Sequence, residues 1–170
     1  MKVTQGADSM DDLLRIDTLN VTDIPFVFRS WICGMRKSPD NCCVSGLEYF
    51  DNARSVVAAL MEHEGTHARV LRLKEDPTSI CGFVVFHERC LYWMHVKHAF
   101  KGFGLSDRMG VEADAVSRSL GGSGLKYYAF RTEHGHLQLP HLRLNGIFVP
   151  SLLASASASA HAQQKETKET

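Results

Sequence analysis

Neither sign of charge is in excess in this chain: 19 Lys and Arg stand against 19 Asp and Glu, for a formal net charge of +0 at pH 7. Proteins that grip nucleic acid or an anionic membrane surface carry a basic excess, so neither partner is expected. No hydrophobic run reaches the roughly 20 residues that span a bilayer. The opening MKVTQGADSMDDLL has no apolar signal core, so a cytoplasmic location is expected. Cysteines are few and odd in number: Cys33, Cys42, Cys43, Cys81 and Cys90, with no Cys-x-x-Cys pair. Adjacency strains any bridge between Cys42 and Cys43. Reduced thiols serving as small apolar fillers are expected. A Gly-x-Gly-x-x-Gly fingerprint is also missing, which removes the usual sign of a dinucleotide-binding unit.

What remains is an ordinary globular composition. The chain has 170 residues, 44% of them hydrophobic and 22% charged, enough for one domain with its own core. Residues 1–12 read as a flexible N-terminus, 13–153 as the domain, and 154–170 (ASASASAHAQQKETKET) as a disordered low-complexity tail.

Periodicity divides the domain into elements. Leu13–Leu19 is a candidate strand. Asp23 ahead of Ile24-Pro25 marks a helix start, with the helix running to about Gly34. Residues 35–46 read as a loop. Leu47, Phe50, Val56, Val57, Leu60 and Met61 recur at helical spacing, and Gly65 is the expected stop. The runs 68–73, 80–86 and 91–96, separated by short polar turns, predict an antiparallel meander. Gly102-Phe103-Gly104 opens a helix with an apolar stripe at Leu105, Met109, Ala113, Val116 and Leu120. Gly121-Gly122-Ser123-Gly124 ends it, and strands follow at 126–130 and 147–149.

The segment Val96-Lys97-His98-Ala99-Phe100-Lys101-Gly102-Phe103-Gly104-Leu105-Ser106 carries the most chemistry. It joins a strand to a helix through a basic, glycine-bearing turn. The first turn of a helix offers unpaired N–H groups and a positive dipole end. Glycines let a phosphate approach that backbone. A pyrophosphate is the natural ligand.

This segment resembles the signature of the GNAT family of N-acetyltransferases, Gln/Arg-x-x-Gly-x-Gly/Ala after a strand ending in Val. Lys101 takes the Gln/Arg place, Gly104 the first glycine and Ser106 the last small residue. The order of elements from Leu13 to Val149 fits as well. More narrowly, IPFVFRSW and VKHAFKGFG are similar to small acetyltransferase-like proteins of tailed bacteriophages. The resemblance implies an α/β (α+β) GNAT fold: a central, mostly antiparallel mixed sheet with helices on both faces. It also implies transfer of acetyl from acetyl-coenzyme A, as co-substrate, to a primary amine on a protein or small molecule. Lys101, Gly102, Phe103, Gly104, Leu105 and Ser106 would hold the pyrophosphate. Met94 and Val96 would pair with the pantetheine arm, because the next strand splays away. A main-chain amide near Val96 would polarise the thioester carbonyl.

For the base, Glu88 starts the motif strand where some members place a catalytic Glu, and His95 lies on that strand on the face of Trp93 and Lys97. The two early helices would supply an acceptor-side wall, with Arg29, Trp31 and Tyr49 the candidates. Two departures stand out. Ser106 replaces Gly or Ala, and 134–149 has no tyrosine to act as the family's usual acid. Tyr127 and Tyr128 come too early. The second departure opens another reading: a GNAT-shaped phage protein, weak or inactive in catalysis, that binds a host protein.

A third reading comes from His63-Glu64-Gly65-Thr66-His67, which spells the His-Glu-x-x-His of zinc hydrolases. That chemistry needs both histidines on one face of one helix. Gly65 and the change of period at Ala68 predict instead that the helix stops and a strand begins. His134, His136 and His141 could form a metal cluster, but a polar loop accounts for them, and no metal is expected.

Overall fold

A computed structural model describes residues 10–38, 46–130 and 147–148. Six strands form one sheet in sequential order: β1 (Leu14–Thr18), β2 (Thr66–Leu73), β3 (Ile80–His87), β4 (Cys90–Val96), β5 (Tyr127–Tyr128) and β6 (Ile147–Phe148). The first four are antiparallel. β5 runs parallel to β4, and β6 parallel to β5. A helical turn, α1 (Met10–Leu13), precedes β1; it overlaps the stretch expected to be flexible and takes Leu13 from the expected strand. The tail from 154 and the histidines at 134, 136 and 141 lie outside the described residues.

Two helices, α2 (Ile24–Arg36) and α3 (Gly46–Glu62), cover one face. Pro25 supplies the preset φ of a first turn, and Val27 and Trp31 turn a fully buried stripe toward the sheet. Trp31 stacks on Trp93 of β4, and Phe26 packs edge-on to Phe83 of β3. α4 (Leu105–Ser119) lies on the opposite face, where Gly82 makes room for Met109. β3 is therefore covered on both sides, and all of Ile80–Phe86 is buried. Such a central strand reads as a continuous apolar run rather than an alternation.

α3 is rotated from the expected stripe. Leu47 is 86% exposed and Phe50 47%. The buried line is Tyr49, Ala53, Val57 and Leu60, the i, i+4, i+8, i+11 series of one helix face.

α3 ends at Glu62, Gly65 turns the chain at φ 81°, and His67 stands within β2. The two histidines of the zinc pattern thus do not share a helix face, as the change of period predicts. Among the described residues no three His, Cys, Asp or Glu side chains converge as a metal site requires. Among the same residues, no helix is long and apolar enough to cross a membrane.

Candidate active site

The site begins where β4 and β5 part. Cys90 pairs with Tyr127 and Leu91 with Tyr128, and Ala129 donates its N–H to the Leu91 carbonyl at 3.0 Å. Among the described residues the pairing ends there, while β4 continues for five more residues to Val96. On its other side β4 stays bonded to β3, and Lys97 N–H donates to the Cys81 carbonyl at 2.8 Å. Main-chain groups alternate along a strand. Those of Met94 and Val96 therefore face away from β3, into the gap. The β3–β4 register also shifts between Val85 and Phe86, which leaves Tyr92 without a register partner in β3 where the gap opens.

The far end of the gap is the glycine turn. A 3₁₀ turn at His98–Phe100 carries the chain off the sheet. Gly102 and Gly104 follow at φ 88° and 72°, left-handed angles that non-glycine residues avoid. Gly104 is the N-cap of α4, and no side chain caps it. A Cβ built on Gly102 or Gly104 meets nothing within 4 Å. These glycines are needed for their angles and for the open space in front, not for packing. Leu105 is buried and anchors the helix start.

Together these parts bound a cleft of about 330 Å³. Of the residues singled out from the sequence, Met94, His95, Val96, Lys101, Gly102, Gly104, Leu105 and Ser106 line it. Phe103 does not: its ring is 54% exposed outside the cleft. Gly34, Lys37, Trp93, Phe100 and Phe130 also line it and were not singled out by sequence. Among the described residues the charged lining is cationic, Lys37 and Lys101, in a chain of zero net charge. A cleft lined by one sign attracts the other. An extended ligand with a phosphate end and an amide-bearing arm fits this donor set.

His95 is half-buried in the cleft wall, against the rings of Phe26 and Phe83 at 6.2 Å and 5.6 Å, which also touch each other. Burial lowers its pKa below the usual imidazole value, and the charges of Lys101, Lys97 and Lys37 lower it further. Lys97 stands on the same side, its ammonium 4.9 Å from the Phe26 ring centre. Both causes favour the neutral imidazole, the form able to accept a proton.

The other candidates are not brought to the cleft. Glu88 sits in the β3–β4 turn at the opposite end of β4, exposed, with φ 42°. It lines a separate hollow with His67, Arg89 and Ser117. Six residues of strand, roughly 20 Å, separate the start of β4 from Val96. Trp31 is fully buried and belongs to the core. Tyr49 is also buried, and its hydroxyl donates to the Ile32 carbonyl at 2.7 Å. Burial pushes its pKa up to about 12. Arg29 borders an apolar groove between α2 and α3, with Phe28, Phe50 and Arg54.

No protein-family model and no curated protein matches the chain. Solved structures do. YycN of Bacillus subtilis, assigned as an acetyltransferase, is 12% identical with a TM-score of 0.54, over 85% of this chain and 90% of that one. A protein of Pyrococcus furiosus, assigned as an acetyl transferase, is 13% identical with a TM-score of 0.51, over 76% and 87%. A GNAT-family acetyltransferase of Staphylococcus aureus Mu50 is 10% identical with a TM-score of 0.50, over 71% and 75%. At such identities likeness speaks for architecture alone, and the architecture of this chain is the GNAT fold.

Proposed function

We propose that the chain is an N-acetyltransferase that moves acetyl from acetyl-coenzyme A to a primary amine. The observation that carries this reading is the open gap beside β4. Among the described residues, two strand positions without a strand beside them, Met94 and Val96, lead directly to a helix start that no side chain caps, behind Gly102 and Gly104. Coenzyme A has the matching order of groups: a pyrophosphate, then an arm with two amides, then the thioester.

In this reading the amides of the turn, 103 to 106, bind the pyrophosphate, and Lys101 adds charge from the solvent side. Met94 and Val96 hold the arm as a neighbouring strand would. A main-chain N–H of β4 donates to the carbonyl oxygen as negative charge develops on it. The amine nitrogen bonds to the carbonyl carbon, and the carbon–sulfur bond breaks. His95 takes the proton that the amine loses. The thiolate then takes a proton from solvent or from the His95 imidazolium. The acceptor is a protein or a small molecule, and cytoplasm suits the free thiols of Cys33, Cys81 and Cys90.

A second reading keeps the fold without turnover, as a phage-type protein that grips a host protein. The absence of tyrosine from 134–149 favours it.

Calorimetric titration with acetyl-coenzyme A tests the first reading. Wild-type protein is expected to bind, and Gly104→Val to bind at least tenfold more weakly, about 1.4 kcal/mol. The valine occupies the phosphate's approach and cannot keep φ 72° without strain. Melting curves without ligand separate lost binding from lost fold. Wild-type protein that binds no coenzyme A would leave the second reading.

A further inference from the structure

Resting on that donor reading, we infer that Trp93 and Phe130 form a wall that sets acyl-chain length, admitting acetyl and propionyl and excluding longer groups. The direction of the arm places the acyl end. The phosphates sit at the turn after Val96, so the arm runs back along β4, past Val96 and then Met94. The acyl group then lies at the level of Trp93, where the gap narrows toward the Leu91–Ala129 bond. Trp93 and Phe130 close the cleft at that level, their ring centres 4.6 Å apart.

The wall is backed by packing that does not yield. Trp31, fully buried, stacks on Trp93 at 6.1 Å with the planes 15° apart. Gly34 of α2 lies against the same ring: a Cβ built there would fall 2.5 Å from Trp93 Cζ2. The indole therefore has no room to retreat toward α2. Trp93 and Phe130 are each only 5% exposed. Close-packed interiors accept an added methylene only by forcing side chains off their minima. A rigid aromatic wall beside the acyl carbon measures length.

The test needs no acceptor. Full-length protein is titrated calorimetrically with coenzyme A and with its acetyl, propionyl, butyryl and hexanoyl thioesters. Acetyl- and propionyl-coenzyme A are expected to bind alike, with butyryl at least tenfold weaker and hexanoyl weaker again. Trp93→Leu and Phe130→Leu should each recover butyryl binding about tenfold, while affinity for coenzyme A itself changes less than about threefold. Trp93→Leu removes a core side chain and can fail to fold. Phe130→Leu and the wild-type series decide the matter in that case. Equal binding of all four thioesters by wild type overturns the wall, as does an unchanged length profile in a folded Phe130→Leu protein. Failure to bind coenzyme A in any form overturns the donor reading itself, a different result from binding without length selection.

Discussion

A half-buried histidine near lysines gives up its proton early. Burial is the main cause lowering the His95 pKa, and the charges of Lys101, Lys97 and Lys37 add to it. If it is the base, His95→Gln should lower kcat by roughly 10²- to 10⁴-fold and leave coenzyme A affinity nearly intact. The acid limb of kcat/KM should have its midpoint below the ordinary imidazole value, and Lys97→Gln should move it upward by removing one positive charge. An unchanged midpoint in Lys97→Gln would argue against His95. Glu88 offers the opposite case. Its φ of 42° is unfavourable for any residue with a Cβ, and its carbonyl accepts the Ser117 hydroxyl. Glu88→Gly should therefore raise stability by about 0.5 to 1 kcal/mol in urea unfolding, with turnover unchanged. Loss of turnover in this variant would restore Glu88 as a catalytic candidate.

Among the elements, α2 depends on a buried ion pair at its entrance. The Arg72 guanidinium of β2 donates to the Asp23 carboxylate, and each residue is only 4% exposed. Arg72 also donates to the Pro77 carbonyl at 2.8 Å and lies 3.4 Å from Asp17 of β1. Asn20 N–H donates to Asp23 at 2.8 Å. One arginine thus ties the start of α2, β1 and the β2–β3 turn together. Asp23→Ala leaves that guanidinium buried without its partner, and denaturant unfolding should show a loss of about 3 to 5 kcal/mol. Asp23→Leu combined with Arg72→Met should lose less than the two single changes added, because each single change strands a charge. Strict additivity would mean that the pair is not coupled.

At the scale of the whole molecule, acid weakens the fold through its histidines. Burial is the main cause lowering the pKa of both His67 and His95. The unfolded chain therefore binds protons at a pH where the folded chain does not. Stability is full above the unfolded value, about 6.5, and falls as pH drops from there through the lower folded values. Melting temperature should fall between pH 7 and pH 5, and His95→Asn should flatten that fall. A melting temperature independent of pH over this range would contradict the assignment.

Much of this architecture was legible in the sequence because secondary structure follows short-range period. The run 80–86 is typical of a covered strand, and the glycine turn at 102–104 reads as a helix opening. The break at Gly65 separated His63 from His67 and so removed the zinc pattern. What the sequence left open was which residues meet. Gly34, Lys37 and Phe130 reach the cleft from segments roughly 60 and 35 residues away from Trp93, and no local period marks them. Trp31 and Tyr49 looked like an acceptor wall and lie in the core instead, because α2 and α3 turn those side chains toward the sheet and each other. Glu88 lies in the turn just before the strand that carries His95, but nearness in sequence is not a shared site when that strand runs roughly 20 Å between them. The cleft exists because β5 stops pairing after Leu91 while β3 holds β4 to its end. That depends on pairing between distant segments. Local propensity determines each strand, and only the assembled sheet determines where two of them part.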